Sequence, residues 1–236
     1  MPPTNGRLKR EDIEAITVRV LRPAERARPD VRLIRLDGRL CVLKDYGKDA
    51  PLFKRILGAF LVWREAVAYR RAAGLPGVPA LIGTLGLCGL VTEYVEATEA
   101  TSADPALFTP QFFAALESLV NNLHRRGVVH GDLKKLENIL VTPDGCPALI
   151  DFTAAFVTGS SPLSAAVFPW IADDDARAIV KLKLRCAPHL ATEEECRFLQ
   201  ERSAIERAFR WSRRYVRYLV KRYSSPEHER AQIRLK

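Results

Sequence analysis

The chain has 236 residues, 47% of them hydrophobic and 28% charged, with 37 Lys and Arg against 28 Asp and Glu for a net charge of +9, a composition that fits a globular protein of one large domain or two packed lobes. Cys41, Cys88, Cys146, Cys186 and Cys196 are scattered, odd in number and without Cys-x-x-Cys spacing, which argues against a disulfide framework or a zinc site and for a reducing compartment. The polar stretch Met1 to Glu14 predicts no signal peptide, and the longest apolar run, Ile56 to Trp63, is too short to span a bilayer, so a cytoplasmic protein is expected.

Residues 16–22, 31–36 and 39–45 alternate apolar and polar side chains, as half-buried strands do. Asp37-Gly38 between the second and third is a hairpin signal. Residues 51–73 read as a long helix with Pro51 near its start and Gly74 just past its end. Leu81–Leu85 and Leu87–Val95 read as two further strands. From Thr109 the pattern turns helical: Thr109-Pro110 is a cap and first-turn proline, and Phe112, Phe113, Leu116, Leu119, Val120 and Leu123 fall at helical spacing until Gly127. Beyond residue 151, an irregular stretch (158–169) precedes a helix from about Asp173 to Arg185 and a last helical region from Thr192 to Tyr223. The break between the strand-rich and helix-rich parts falls near Thr98 to Pro105.

Chemistry concentrates in the middle of the chain. His130-Gly131-Asp132, then Asn138, then Leu149-Ile150-Asp151-Phe152 place polar anchors inside otherwise apolar, strand-like sequence. Buried carboxylates and amides are costly unless something satisfies them, and a divalent metal carrying nucleotide phosphates would do so. Thr142-Pro143-Asp144-Gly145 is a good turn sequence, so a hairpin would bring Asn138 and Asp151 together from its two ends.

This arrangement resembles the catalytic and metal-binding loops of the protein-kinase-like superfamily. The resemblance implies an α+β, two-lobed protein-kinase-like fold: a small five-stranded N-lobe with one main helix over residues 1–97, and a mostly helical C-lobe over 98–236. It implies ATP and Mg2+. In Val42-Leu43-Lys44, Lys44 would hold the α- and β-phosphates, and Glu65 on the following helix would pair with it. Thr92-Glu93-Tyr94-Val95 resembles the hinge, where backbone of Glu93 and Val95 would meet adenine. Asp132 would accept or orient the proton of the attacking hydroxyl, Lys134 would face the γ-phosphate, and Asn138 and Asp151 would ligate magnesium. His130 is read as structural, and Asp174 or Asp175 as a partner for the catalytic-loop backbone.

Four departures from the family pattern stand out. Five residues, not four, separate Asp132 from Asn138; a one-residue bulge over Lys134-Lys135-Leu136 keeps Asn138 as the ligand, while counting forward from Asp132 puts Glu137 there instead. No glycine-rich loop is present, and the arginine-rich stretch from Arg22 to Pro29 takes its place. The metal loop reads Asp151-Phe152-Thr153 without the usual glycine. No Ala-Pro-Glu sequence follows, which argues against a large peptide platform.

From Arg197 to Lys236 the chain carries 12 Lys and Arg against 4 Glu. Ile205, Phe209, Val216, Leu219 and Tyr223 form an apolar stripe there with arginines and Trp211, Tyr215 and Tyr218 around it, a pattern of either a core-packed helix or one lying on an anionic membrane. Lys181 to Arg185 forms a second basic patch. No nucleic-acid reading module accompanies this charge, and no nucleic-acid partner is expected. The motifs are most similar to bacterial lipopolysaccharide Kdo/heptose kinases and RIO-type kinases, from about Arg39 to Arg185. The expected acceptor is a sugar hydroxyl of a glycolipid or lipopolysaccharide core, with the enzyme cytoplasmic or peripheral at the inner membrane. An atypical RIO-like serine/threonine kinase and a pseudokinase scaffold are the alternatives.

Overall fold

The computed structural model describes residues 8–25, 28–47, 52–159 and 161–200. The chain divides into two compact units, Met1–Ala191 and Thr192–Lys236. The first opens with a short helix α1 (Ile13–Ile16), followed by β1 (Thr17–Arg22), β2 (Asp30–Leu36), β3 (Arg39–Asp45), the long helix α2 (Leu52–Arg71), β4 (Leu81–Leu85) and β5 (Gly89–Glu93). The five strands make one antiparallel sheet in the order β1-β2-β3-β5-β4. Asp37 and Gly38 turn the β2–β3 hairpin with φ of 47° and 79°, the two positive values that a type I′ turn requires.

Ile34, Cys41, Leu43, Leu85 and Val91 point from the sheet into a small core that Ile13 of α1 completes. Arg10, just before α1, ties this segment down by reaching Asp45 Oδ1 at 2.6 Å and the Gly47 carbonyl at 2.6 Å. The alternation in residues 16–22 correctly marks a strand, but not a half-buried one. β1 is an edge strand, and Val18, Val20 and Leu21 are all exposed.

The second, mostly helical lobe contains β6 (Thr98–Glu99), α3 (Pro110–Arg125), β7 (Val128–Val129), β8 (Ile139–Val141), β9 (Pro147–Leu149), β10 (Phe156–Val157) and α4 (Pro162–Cys186). The Thr109 hydroxyl accepts from Phe112 N at 3.2 Å and caps α3, whose six apolar residues at helical spacing are all buried. β8 and β9 are the hairpin around Thr142–Gly145, with β6 on the outer side of β8, while β7 pairs with β10.

Residues 158–169 are not wholly irregular. α4 begins at Pro162 and runs through Pro169 without ending. A proline inside a helix costs about 3 kcal/mol; the neighbouring Phe168 packs against the rings of His124 and Phe156. The basic patch at 181–185 is also split: Leu182 and Lys183 turn inward, with Lys183 3.3 Å from Glu117 and over the Phe113 ring.

α2 joins the two lobes. Val62, Ala66, Ala68 and Tyr69 belong to the main core, together with residues of α3, β8, β9, α4 and Phe152. The link between α2 and β4 docks on β9, where Leu149 N donates to the Gly77 carbonyl at 2.8 Å. Gly77 has φ of +85°, and a Cβ there would come 2.6 Å from the Pro147 carbonyl, so only glycine fits.

In the second unit, α5 (Glu193–Gln200) starts with a capping box. Glu195 N donates to the Thr192 hydroxyl at 3.2 Å, and Thr192 N donates to Glu195 Oε2 at 2.8 Å. The expected basic aromatic helix beyond residue 200 lies outside the described residues.

Candidate active site

Lys44 lies on β3, the central strand between β2 and β5, and its side chain crosses to α2. Its Nζ is 2.7 Å from Glu65 Oε1 and 2.9 Å from Asp151 Oδ1. Glu65 is fully buried, Lys44 nearly so, and Asp151 half-buried. Burial alone would pull the ammonium pKa down, but the charges of Glu65 and then Asp151 outweigh it and hold Lys44 well above the usual lysine range. Burial likewise pushes the Asp151 carboxyl up, and the Lys44 charge with the Thr153 hydrogen bond reverses this, leaving it below the usual carboxylate range. Lys44 and Asp151 therefore both stay ionised, 2.9 Å apart. The helix bearing Glu65 is pinned nearby, because Arg64 donates to the Ala155 carbonyl at 3.0 Å.

The β8–β9 hairpin sets the spacing of the remaining groups. Ile139 pairs with Leu149, and Ile150 N donates to the Asn138 carbonyl at 3.0 Å, so Asn138 and Asp151 emerge side by side at the open end of the hairpin. Asn138 is buried, and its Nδ2 donates to the Asp132 carbonyl at 3.1 Å. Glu137, in the same 3-10 turn (Leu136–Asn138), is exposed. Between Asp132 and Asn138 the chain turns tightly, as Lys135 N bonds the Asp132 carbonyl and Asn138 N bonds the Lys135 carbonyl. Asp151 itself is left-handed, with φ of 63°, an uncommon backbone for a non-glycine residue and one that recurs at functional sites.

The loop carrying Asp132 is held from beneath. Asp175 on α4 is buried and accepts from His130 N at 2.7 Å and Gly131 N at 2.9 Å. Of the two aspartates left open by the sequence, Asp175 makes these bonds, while Asp174 is exposed. His130 is fully buried, with its ring against Phe152 and Nε2 2.9 Å from the Ile150 carbonyl. A carbonyl only accepts, so Nε2 carries the proton there. Gly131 has φ of +75°, and a Cβ at this position would lie 2.8 Å from the Ala154 carbonyl.

Both lysines after Asp132 reach its carboxylate. Lys135 Nζ lies 2.5 Å from Oδ2, whereas Lys134 Nζ is 3.9 Å from Oδ1. The sequence singles out only Lys134, by its place two residues after Asp132, and gives no sign that Lys135 reaches the same carboxylate. At the strand end, Glu93 N donates to the Ala80 carbonyl at 2.9 Å and Glu93 Oε2 accepts from Ala80 N at 3.2 Å, so its N–H is committed inside the lobe. Val95 follows two residues on, past the end of β5.

Thr153, read in the sequence only as a lost glycine, is part of the charged cluster. Its Oγ1 lies 2.6 Å from Asp151 Oδ1, 2.9 Å from Glu65 Oε2 and 3.3 Å from Lys44 Nζ. Having one hydrogen, it can donate to only one carboxylate at a time. Tyr69 packs edge-on against Phe152 at 4.8 Å, and burial followed by the Glu65 charge raises its phenol above the ordinary range.

A family model described as the phosphotransferase enzyme family (APH) matches residues 32–158, just over half of the chain. A search among curated proteins finds no sequence match. Among solved structures, the chain is similar to the Rio2 kinase from Chaetomium thermophilum, with 19% identity and a TM-score of 0.58 over 78% of this chain and 60% of that one. It is also similar to the same kinase in a complex with ADP, Mg2+ and phosphoaspartate, with 19% identity and a TM-score of 0.57 over 78% and 59%. The chain thus spans about 60% of the length of the Rio2 kinase chain it matches, and at this identity the likeness establishes the two-lobed fold.

Proposed function

We propose an activity for a chain that belongs to the phosphotransferase enzyme family: it moves the γ-phosphoryl of ATP to a hydroxyl group. The observation that carries this reading is the convergence of Lys44, Glu65 and Asp151 within 2.9 Å contacts beside the Asn138–Asp132 link. Glu65 would hold Lys44 in place to meet the α- and β-phosphates. At the hinge, the Glu93 carbonyl and the Val95 N–H would supply the acceptor and donor for adenine, since the Glu93 N–H is already used. Asp132 would orient the acceptor hydroxyl and take its proton, a role worth about 10²–10⁴-fold in rate. Lys134 would face the γ-phosphate, with Lys135 as a second cation on the same carboxylate.

The residues present fit magnesium. Asp151 is held ionised, and Asn138, whose Nδ2 is bound to the Asp132 carbonyl, has its side-chain oxygen as a further hard donor. Among the described residues no three His, Cys, Asp or Glu side chains gather as a metal cage, and magnesium characteristically takes one or two protein oxygens with phosphates and waters. When bound, the ion would neutralise phosphate charge. The exposed position of Glu137 favours Asn138 as the ligand.

For the acceptor, we propose a sugar hydroxyl of a lipopolysaccharide core or lipid-linked glycan at the cytoplasmic membrane face. Only residues 154–161 separate Thr153 from α4, which leaves little chain to build a peptide platform. The likeness to Rio2 kinase favours a second reading, transfer to a protein serine or threonine. Incubation with γ-labelled ATP and separated cell-envelope and protein fractions decides between them. Label in glycolipid supports the first reading, label in protein the second, and label in neither contradicts both.

A further inference from the structure

We infer that the outward face of α2 docks on an anionic membrane surface. The inference deepens the membrane-borne acceptor of the proposed function and rests on that reading. Val62, Glu65 and Tyr69 form the inward face of the helix and are buried. On the opposite side, Ile56, Phe60 and Trp63 are 63%, 51% and 60% exposed, and Leu57 adds to them at 44%. These positions recur at i, i+4 and i+7, one face of a helix, yet among the described residues the face belongs to no core cluster. The side chains already associate with one another: the Phe60 and Trp63 rings are 6.1 Å apart, and the Arg64 guanidinium lies 5.7 Å over Phe60. Leu87, 79% exposed, extends the patch at the N-terminal end, where the neighbouring Cys88 thiol meets the Arg55 carbonyl.

Along α2 itself the charge outside the core is of one sign. Arg55 lies at one end, Arg64 in the middle, and Arg70 and Arg71 at the other, while the helix's single acidic residue, Glu65, is buried. Arg126 adds a further cation at that end, since Arg71 and Arg126 each donate to the other's backbone carbonyl. An all-basic face disfavours a second copy of itself, because like charges would meet. A protein partner is also disfavoured by size. From Arg55 to Arg71 the face is about 24 Å long and about 10 Å wide, on the order of 250 Å² against the ~800 Å² per partner of a stable interface. Aromatic and aliphatic side chains ringed by arginine suit the boundary between lipid headgroups and acyl chains, where the long arginine stems let the charges reach phosphates.

The test uses the full chain and vesicles of phosphatidylcholine alone or mixed with phosphatidylglycerol. Wild-type protein is expected to partition at least about tenfold more strongly onto the anionic vesicles. Phe60→Ser with Trp63→Ser should lower that partition by about tenfold or more, and Arg70→Gln with Arg71→Gln by several-fold with a weaker salt dependence. Both variants leave the basic stretch 197–236 intact, so binding equal to wild type would overturn the inference. Equal wild-type binding to neutral and anionic vesicles would do the same. Absence of binding to either would overturn it in favour of a protein partner, and a dimer in light scattering that the Phe60/Trp63 variant dissociates would overturn it in favour of a second copy. Both variants should keep the wild-type thermal midpoint and ATP turnover without vesicles. Absent ATP turnover beside variant-sensitive vesicle binding would remove the phosphotransferase reading and support this face.

Discussion

The Thr153 hydroxyl stands 2.9 Å from Glu65 Oε2, tying the segment after Asp151 directly to α2. The other Glu65 oxygen is held by Lys44. If, as proposed, nucleotide phosphates draw Lys44 away, Thr153 can turn its one hydrogen from Asp151 to Glu65 and keep this buried carboxylate satisfied. An unsatisfied buried acceptor costs about 1–3 kcal/mol. Thr153→Val, similar in shape but without the hydroxyl, is expected to raise the KM for ATP by about five- to a hundredfold with a smaller change in kcat, by the factor of ten per ~1.4 kcal/mol. Thr153→Ser should restore the wild-type value. Steady-state kinetics on the three proteins measure this.

Lys44 and Glu65 are expected to be coupled more tightly in stability than in function. Lys44→Met leaves the Glu65 carboxylate buried without its main counter-charge, and breaking such a pair typically costs about 3–5 kcal/mol. Replacing both, as Lys44→Met with Glu65→Leu, should recover most of that loss while ATP turnover stays absent. Denaturant unfolding of the single and double variants, read beside turnover, separates the two effects.

Asp175 and Asp174 provide a sharp contrast between neighbours. Asp175→Ala removes the acceptor for His130 N and Gly131 N, and should reduce kcat by about ten- to a hundredfold through misplacement of Asp132. Asp174 is exposed, and Asp174→Ala should leave kcat within about twofold, as surface changes usually do. An unchanged KM for ATP in both variants would place the effect on the acceptor side of the site.

Gly131 is expected to resist every substitution. Its φ of +75° and the 2.8 Å approach of the Ala154 carbonyl to a Cβ predict that Gly131→Ala lowers stability by at least about 1–2 kcal/mol. Thermal unfolding of the variant measures the loss.

These residues also show where the amino-acid sequence was informative and where it was silent. The strands of the small lobe were legible because alternation and Asp37-Gly38 are local signals, and the sheet formed from them as expected. Alternation does not reveal whether a face is covered, so the exposure of Val18, Val20 and Leu21 was missed. Pro169 reads as a helix breaker, yet α4 runs through it, and the contacts of its neighbour Phe168 with His124 and Phe156 are tertiary and leave no local signal. The pairing of Asn138 and Asp151 was legible because a short hairpin fixes it. The partner of Thr153, by contrast, lies 88 residues away on α2, and no local pattern carries that information. Asp175 could be narrowed to two adjacent residues, since helix phase relative to a loop is a tertiary property.

On the proposed activity, ATP's terminal phosphoryl would pass to the acceptor hydroxyl at a site flanked by Asp132 and Asp151, and magnesium-dependent turnover of γ-labelled ATP tests this most directly. Wild-type protein should release or transfer label only with magnesium present, and Asp132→Ala and Asp151→Ala should each fall by about 10²-fold or more. Identical background from all three proteins would contradict the account and leave a nucleotide-binding scaffold without catalysis.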